Sequence, residues 1–165
     1  MSFLDSAHDP KKAQQRALYG FLLVTLGVGA LGSLFTTPAI PTWYAQLNKP
    51  GIAPPNWVFA PVWTTLYILM AFAAWRVWKT TGLRSLAMAA FAVQLALNLA
   101  WSAIFFSLHN IAGALAEIVV LDLAIVTTVI VYFRHDRLAG LLMLPYLAWT
   151  LFATMLTYAF WGLNR

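Results

Sequence analysis

The fold is decided by residues 111–132, which have the sequence IAGALAEIVVLDLAIVTTVIVY. About 20 apolar residues in helical conformation cross the ~30 Å hydrocarbon layer of a bilayer. Only Glu117 and Asp122 interrupt the apolar character of this stretch. Residues 111–132 are therefore predicted to form a transmembrane helix.

Four further stretches have the same length and character, at residues 17–35, 57–78, 86–107 and 138–161. In the whole chain, 62% of the residues are hydrophobic and 9% are charged, and the mean hydropathy is +0.76. A water-soluble domain could not cover its surface with so few charges, so soluble enzymes and binding domains are excluded. The predicted fold class is an all-α membrane protein, a bundle of five transmembrane helices.

The predicted organisation is an N-terminal tail at 1–16 and a transmembrane domain at 17–165. The first apolar stretch is longer than a signal-peptide core and lacks a small-residue cleavage site, so it is expected to be retained. One connection, 36–56, is long, and long connections in compact proteins are usually functional or disordered. This one has apolar residues to pack, so we predict a folded lid over the bundle; they are Trp43, Tyr44, Leu47 and Ile52.

The distribution of Lys and Arg predicts the orientation. The tail and the second and fourth connections hold Lys11, Lys12, Arg16, Arg76, Lys79, Arg84, Arg134 and Arg137. The opposite side has Lys49 and Arg165. Because positively charged connections stay on the cytoplasmic side, the N-terminus is predicted there and the C-terminus opposite.

The formal net charge of +5 does not predict a nucleic-acid partner, because the basic residues lie between apolar stretches. The chain has no cysteine, and its histidines, at positions 8, 109 and 135, lie outside the predicted spans. A thiolate or imidazole metal site within the bundle is therefore not expected. We predict that no metal and no resident cofactor is required.

The third predicted span has two contrasting faces. Gln94, Asn98 and Trp101 share one face, because helical residues three and four apart are neighbours. Amides in hydrocarbon usually point into the bundle, either to tie helices together or to contact a ligand. The opposite face is formed by Ala89, Ala92, Ala96, Ala100 and Ala103. It predicts contact with another helix of this chain or of a second subunit; lipid-facing alanines are the alternative.

The fourth span carries the two intramembrane carboxyl groups. Glu117 and Asp122 are about 140° apart around the helix, so they do not form an acid–base pair in one pocket. Asp122 is expected to pair with Gln94 or Asn98 as a neutral acid. A carboxylate at this depth is a functional candidate, which leaves a proton- or cation-coupled transporter as the alternative function.

Aromatic residues recur at helical spacing on the second and fifth spans. Trp63 and Tyr67 share one face of the second, and Tyr146, Trp149 and Ala153 share one face of the fifth. Such stripes can pack the bundle, or they can line a flat apolar cavity under the lid. A cavity of that kind would suit a planar hydrophobic ligand.

Four motifs in this sequence resemble the TspO/MBR family, which comprises the tryptophan-rich sensory proteins and the mitochondrial translocator protein. They are TWYAQLNKP at 42–50, PPNWVFAPVWTTLY at 54–67, QLALNLAW with IFF at 94–106, and PYLAW at 145–149. The resemblance implies a five-helix bundle, often dimeric, that binds porphyrins such as protoporphyrin IX under the first loop. It also implies a role in porphyrin transport, sensing or light-dependent degradation.

The resemblance extends to individual positions. Trp63 and Trp149 match tryptophans associated with porphyrin breakdown, and they are the catalytic candidates. The expected ligand-binding residues are Trp43, Tyr44, Lys49, Pro50, Trp63, Tyr67, Gln94, Asn98, Trp101, Tyr146, Trp149 and Ala153. Lys49 would meet a porphyrin propionate, or would simply be a solvated loop charge. A homodimer is expected, with Ala92, Ala96 and Ala100 as its contact face.

Overall fold

A computed structural model of the protein describes residues 10–165, and the structural statements below concern these residues. The helices are α1 (Pro10–Ala39), α2 (Trp43–Gln46), α3 (Asn56–Thr81), α4 (Leu86–Ser102), α5 (Ile111–His135) and α6 (Arg137–Leu163). A π-helical turn, Ala103–Ser107, continues α4. Five helices are long and apolar enough to cross a membrane, and the described part of the chain contains no strand. The predicted all-α, five-span fold is confirmed.

Helix α1 is longer than the apolar stretch that predicts it. It starts at Pro10, so part of the predicted tail is helical; residues 1–9, with His8, lie outside the described residues. The indole of Trp75 donates a hydrogen bond to the carbonyl of Gln14 (2.9 Å), which ties the first turns to α3. At its other end α1 continues to Ala39, so the loop of the lid begins four residues later than predicted.

Short connections join the remaining long helices, which therefore run antiparallel to one another in sequence order. Side chains cap three of them: Ser85 accepts from the N–H of Met88, Asn110 from that of Gly113, and Asp136 from that of Ala139. We call the end with the start of α1 and the connections at 82–85 and 136 the basic end. The opposite end, with the connections at 40–55 and 108–110, is the lid end.

The half of the bundle nearest the basic end is tightly packed. Its helices approach closely because many facing residues are small, including Ala73, Ala74 and Ala139, which are fully buried. Larger side chains fill the remaining space between α3, α4, α5 and α6; Met70, Ile125, Tyr132, Met143 and Tyr146 are fully buried there. Arg76 and Asp136 form an ion pair (2.8 Å) that links the end of α3 to the start of α6.

The alanine face of α4 does not pack within the described chain. Ala89, Ala92 and Ala96 are exposed, and Ala100 is half-buried. Contact with a second copy stays a prediction, as does the homodimer itself.

Candidate functional site

A cavity of about 460 Å³ lies in the half of the bundle nearest the lid end. Residues from α1, α3, α4, α5 and α6 line it, and Tyr44 of α2 closes its roof. This volume is in the range of small-molecule sites, about 300–1,000 Å³. The same helices that pack tightly at the basic end therefore enclose a hollow at the other.

Nine aromatic residues line the cavity, from α2, α3, α4, the π-helical turn and α6. Trp63 and Tyr67, one turn apart on α3, stack with their centroids 5.5 Å apart and their planes at 30°. Phe59 on the same helix meets Trp149 of α6 edge to face, at 5.9 Å. Aliphatic residues line it as well, including Ile118 and Leu121 from α5 and Ala153 and Leu156 from α6, together with several Ser and Thr residues. The result is a predominantly apolar site with flat walls.

The π-helical turn at the end of α4 shapes one of these walls. Trp101 and Phe105 stack at 5.2 Å with an interplanar angle of 22°, and Phe105 also meets Phe160 of α6 edge to face. A π-helical turn is wider than an α-helical one, and such turns are frequent at functional sites. Sequence patterns did not predict this turn, because no residue in AIFFS is specific for it.

The polar side chains that line the cavity are mostly hydroxyl-bearing, and two indole nitrogens among the lining residues have no partner in the described chain. The hydroxyl of Tyr67 donates to Oδ1 of Asn98 over 2.6 Å, a bond between α3 and α4. The indole nitrogens of Trp101 and Trp149 are buried and have no hydrogen-bond acceptor within residues 10–165. A buried N–H group without an acceptor is costly, and both of these groups belong to residues that line the cavity.

The cavity opens sideways between α1 and α3. Every lining residue that is exposed belongs to one of these two helices, and every lining residue of α4, α5 and α6 is buried or half-buried. On α1 the exposed residues follow helical spacing and are mostly small or hydroxylated; they are Leu26, Ala30, Ser33 and Thr37. On α3 they are Asn56, Ala60 and Thr64. The opening therefore faces the membrane rather than the aqueous end.

The lid is held at both of its edges. Trp43 stacks on His109 of the connection between α4 and α5, at 4.5 Å and 18°. At the other edge, the side chain of Asn164 donates to the carbonyl of Asn48 (3.0 Å) and accepts from its N–H (2.9 Å). Burial raises the pKa of the Tyr44 hydroxyl, so this roof residue stays neutral.

Seven of the predicted ligand-binding residues line one cavity, namely Tyr44, Trp63, Tyr67, Asn98, Trp101, Trp149 and Ala153. Five do not line it. Trp43 packs behind Phe105, and the ammonium of Lys49 lies over the Tyr44 ring at 4.8 Å. Pro50 is in the lid, Gln94 contacts the sulfur of Met70 at 4.0 Å, and Tyr146 is fully buried in the packed half.

The predicted pairing of Asp122 with Gln94 or Asn98 is wrong. Asp122 instead accepts a hydrogen bond from the hydroxyl of Thr154 (2.7 Å), because this side of α5 faces α6. The other oxygen of Asp122 and both oxygens of Glu117 are buried and have no partner in the described chain. Neither carboxyl group lines the cavity.

Sequence reasoning missed the contribution of α1. Gly29 lies against Tyr67, where an added Cβ would be 2.6 Å from the ring, so a side chain there would displace it. The stripe from Leu26 to Thr37 carries a signal in hindsight, because its small and hydroxylated residues, Ala30, Ser33 and Thr37, repeat at i, i+3 and i+7. Within residues 10–165, no group of three His, Asp or Glu could hold a metal ion.

Sequence comparison with known proteins identifies the family and several relatives. A sequence model of the TspO/MBR family matches residues 21–162. The chain is 41% identical over 148 residues to the tryptophan-rich protein TspO of Archaeoglobus fulgidus, covering 89% of this chain and 96% of that protein. It is 41% identical to protein CrtK of Rhodobacter capsulatus, covering 82% and 85%. With human translocator protein the identity is 38%, covering 82% of each chain.

Proposed function

This chain belongs to the TspO/MBR family and is an integral, multi-pass membrane protein, and on that basis we propose that it binds a tetrapyrrole of the protoporphyrin IX type. The binding site is the cavity under the lid. The function that follows is transport, sensing or light-dependent degradation of the porphyrin. In this proposal the porphyrin is a ligand, and the protein requires no resident cofactor.

The observation that carries this proposal is the combination of flat aromatic walls with buried, unpartnered indole donors. A porphyrin is a planar apolar macrocycle, so the rings of Trp63, Trp101 and Trp149 can stack on its face or meet its edge. The indole N–H groups of Trp101 and Trp149 have no acceptor in the described residues, and a turn of each ring towards the bound macrocycle would let them donate to its polar atoms. An aliphatic ligand such as an acyl chain would leave these donors unsatisfied.

Charge at the lid end fits the propionate groups of a porphyrin. Lys49 is the one cation in the lid, and it already lies over the ring of Tyr44. From that position a small movement of its flexible side chain would bring the ammonium to a carboxylate at the cavity roof. The propionates would then point to the lid and the macrocycle into the bundle.

The lateral opening supports entry from the bilayer. Porphyrins partition into membranes, and the gap between α1 and α3 faces lipid along Ala30, Ser33, Ala60 and Thr64. The lid is held at both edges, so entry through the membrane requires less rearrangement than entry through the lid.

Titration of the purified protein with protoporphyrin IX in the dark tests binding. Saturable quenching of tryptophan fluorescence is expected for the wild type, and weaker affinity by about 10-fold for Trp101→Leu and for Trp149→Leu. Trp57→Leu is the matched control, because Trp57 is 76% exposed and does not line the cavity. Quenching that does not saturate, or that is the same in all four proteins, would show partition into detergent and refute the site.

Light-dependent breakdown is the finer part of the proposal. Trp63 and Trp149 both line the cavity, so either indole could give one electron to the excited porphyrin, leaving an indole radical cation and a porphyrin radical anion. Dissolved dioxygen would be the oxidant for later steps. Illumination of the Trp63→Phe, Trp149→Phe double variant should leave its bound porphyrin intact under conditions that bleach it in the wild type. Equal bleaching at equal occupancy would contradict this role.

The orientation of the chain is part of the proposal as well, with the basic end on the cytoplasmic side. Because the chain has no cysteine, a variant with a single introduced cysteine shows on which side of the membrane that position lies. Ser107→Cys at the lid end should react with a membrane-impermeant thiol reagent in intact cells, whereas Thr80→Cys should react only after lysis. The reverse pattern would invert the topology.

A proton- or cation-coupled transporter is the second candidate, because three buried carboxyl oxygens of Glu117 and Asp122 have no partner in the described residues. Both groups lie behind the cavity wall rather than in it, which favours the porphyrin proposal. Proton or cation flux into liposomes in the absence of porphyrin, if it is abolished by Asp122→Asn, would favour the transporter over the porphyrin proposal.

A further inference from the structure

A row of contacting aromatic rings runs from the cavity to the surface of the lid end. It begins at Trp101, which lines the cavity and stacks on Phe105 with ring centroids 5.2 Å apart. Phe105 meets Trp43 edge to face at 5.5 Å, and Trp43 stacks on His109 at 4.5 Å. We call these four residues the aromatic row. It joins the end of α4 to the lid and to the connection between α4 and α5.

Burial decreases along the aromatic row. Phe105 is 3% exposed, Trp43 is half-buried, and His109 is exposed in the connection at 108–110. Within residues 10–165, His109 is the one residue other than glycine with a positive φ (52°), a conformation that few residues with a side chain adopt. In this conformation its ring lies nearly parallel to that of Trp43, at 18°. The aromatic row therefore connects a buried site with the aqueous phase.

The two tryptophans of the row can each lose an electron for a short time, whereas Phe105 cannot. Indole is among the side chains that are easiest to oxidise by one electron, and a phenyl ring is much harder to oxidise. Phe105 is therefore a bridge, because its contacts with both indoles couple Trp101 to Trp43. An electron can move between the cavity and the surface in short steps through these contacts.

The other indoles of the cavity have no comparable route in the described part of the chain. Trp63 contacts the rings of Tyr67 and Tyr146, and both of these are buried within the bundle. Trp149 contacts two phenylalanine rings. A radical cation formed on Trp63 or Trp149 therefore stays beside the bound porphyrin, whereas one formed on Trp101 has a route to the surface.

We propose that the aromatic row carries electrons from a small water-soluble reductant at the lid end to Trp101 in the cavity. This inference rests on the proposed function, because the oxidant is the bound porphyrin in its light-excited state. The excited porphyrin takes one electron from Trp101, which leaves an indole radical cation and a porphyrin radical anion. Dioxygen then takes the electron from the porphyrin radical anion, so the porphyrin is restored and superoxide is formed.

The electron that Trp101 has lost is replaced through the aromatic row. Trp43 gives an electron to Trp101 by way of Phe105, and it then loses its indole proton to water and becomes a neutral radical. The reductant restores Trp43 by giving it one electron and one proton. The net reaction moves one electron from the reductant to dioxygen and releases one proton to water. Charge separation at Trp101 therefore leaves the porphyrin intact, whereas charge separation at Trp63 or Trp149 leads to its breakdown.

Variants of Trp43 test this pathway without changing the cavity wall, because Trp43 does not line the cavity. Trp43→Phe and Trp43→Tyr both keep an aromatic ring between Phe105 and His109, but only tyrosine can be oxidised. If Trp43 merely packs the lid, the two variants should behave alike. Trp161→Phe is the matched control, since it removes an indole at the lid end that neither belongs to the aromatic row nor lines the cavity.

The first readout is the consumption of ascorbate by the porphyrin-loaded protein, in air and under illumination. Each protein is first titrated with protoporphyrin IX in the dark, and the four proteins are compared at equal occupancy. Wild type and Trp161→Phe should consume ascorbate. Trp43→Phe should lose most of this consumption and bleach its porphyrin faster, and Trp43→Tyr should restore both properties.

The second readout is electron paramagnetic resonance of samples frozen under illumination without ascorbate. Trp43→Tyr should show a tyrosyl radical that is absent from wild type. Equal ascorbate consumption in wild type and Trp43→Phe, or the same loss in Trp43→Phe and Trp43→Tyr, would overturn the electron pathway and leave porphyrin binding in place. A lack of saturable binding in the dark would refute the proposed function and the pathway with it.

Discussion

The two halves of this bundle are built from the same helices but differ in how those helices meet. Near the basic end, Ala73, Ala74 and Ala139 allow the backbones of α3, α5 and α6 to approach, and all three residues are fully buried. Near the lid end, the facing residues include Trp63, Trp101 and Trp149, and they enclose a cavity. Large residues leave a cavity here because the aromatic rings that contact one another keep the helices apart.

Because of this difference, one half of the bundle contributes mainly to stability and the other half mainly to ligand binding. In a membrane, helices associate by close packing and not by burial away from water, so the alanine-rich half supplies the stability. The aromatic half has lower packing density and unpartnered indole donors, which is the arrangement that a ligand completes. Substitutions in the two halves should therefore have opposite consequences.

The largest expected effect comes from filling the hollow half. Ala153→Trp places an indole in the cavity that Ala153 lines, so affinity for protoporphyrin IX should fall by at least about 100-fold. The melting temperature should stay the same or rise, because contacts are added without displacing the packed half. Ala148→Trp, at an exposed position of the same helix, is the control and should bind normally. Retained affinity in Ala153→Trp would place the ligand elsewhere.

Overpacking the tight half should lower the stability and leave porphyrin affinity nearly unchanged. Ala74 is fully buried, and Ala74→Leu should lower the free energy of unfolding by about 1–3 kcal/mol, because the added carbons have no space. Below the melting temperature, porphyrin affinity should change by less than about 2-fold. Ala116→Leu, at an exposed position on α5, is the control for the thermal measurement. If Ala74→Leu weakens binding as strongly as it lowers stability, the two halves are not independent.

A smaller effect is expected at the lid. His109→Ala removes the ring that stacks on Trp43, and an aromatic pair contributes about 0.5–1.5 kcal/mol. Dissociation of bound porphyrin, followed by stopped-flow fluorescence, should become about 2- to 10-fold faster. His135→Ala, at the basic end, should leave the rate unchanged. An unchanged rate in His109→Ala as well would mean that the lid does not hold the bound porphyrin in place.

The smallest effect concerns the ion pair at the basic end. The Arg76 guanidinium holds the pKa of Asp136 below its ordinary value of about 3.9. The stabilisation is therefore fully present above that pH and is lost as the pH falls through the lower pKa of the folded state. Asp136→Asn should lower the stability by less than about 1 kcal/mol at neutral pH, and the difference should vanish in acid.

Asp136→Ala separates the ion pair from the helix cap. Asp136 also accepts from the N–H of Ala139, a role that Asn can retain and Ala cannot. Melting curves should show a further loss of about 1 kcal/mol in Asp136→Ala that persists at acid pH. Identical pH profiles for the two variants would mean that the cap contributes nothing and that the ion pair is the whole contribution.

Much of the site could be predicted from the sequence, since Trp63, Tyr67, Asn98, Trp101 and Trp149 line one cavity as their helical spacing implied. The partner of Asp122 could not be predicted. Periodicity gives the direction of a side chain around its own helix, but it does not say which neighbour lies in that direction. Here the neighbour is Thr154 of α6 rather than an amide of α4.

The sequence by itself determined that this chain has five membrane-spanning helices, because about 20 consecutive apolar residues in helical conformation match the thickness of the hydrocarbon layer. It also determined the family, through four local motifs. Tertiary structure decided where the bundle is solid and where it is hollow. It also decided that the cavity opens between α1 and α3. Hydropathy is a property of single residues, whereas a cavity depends on the distances between helices, which the side chains of several segments set together.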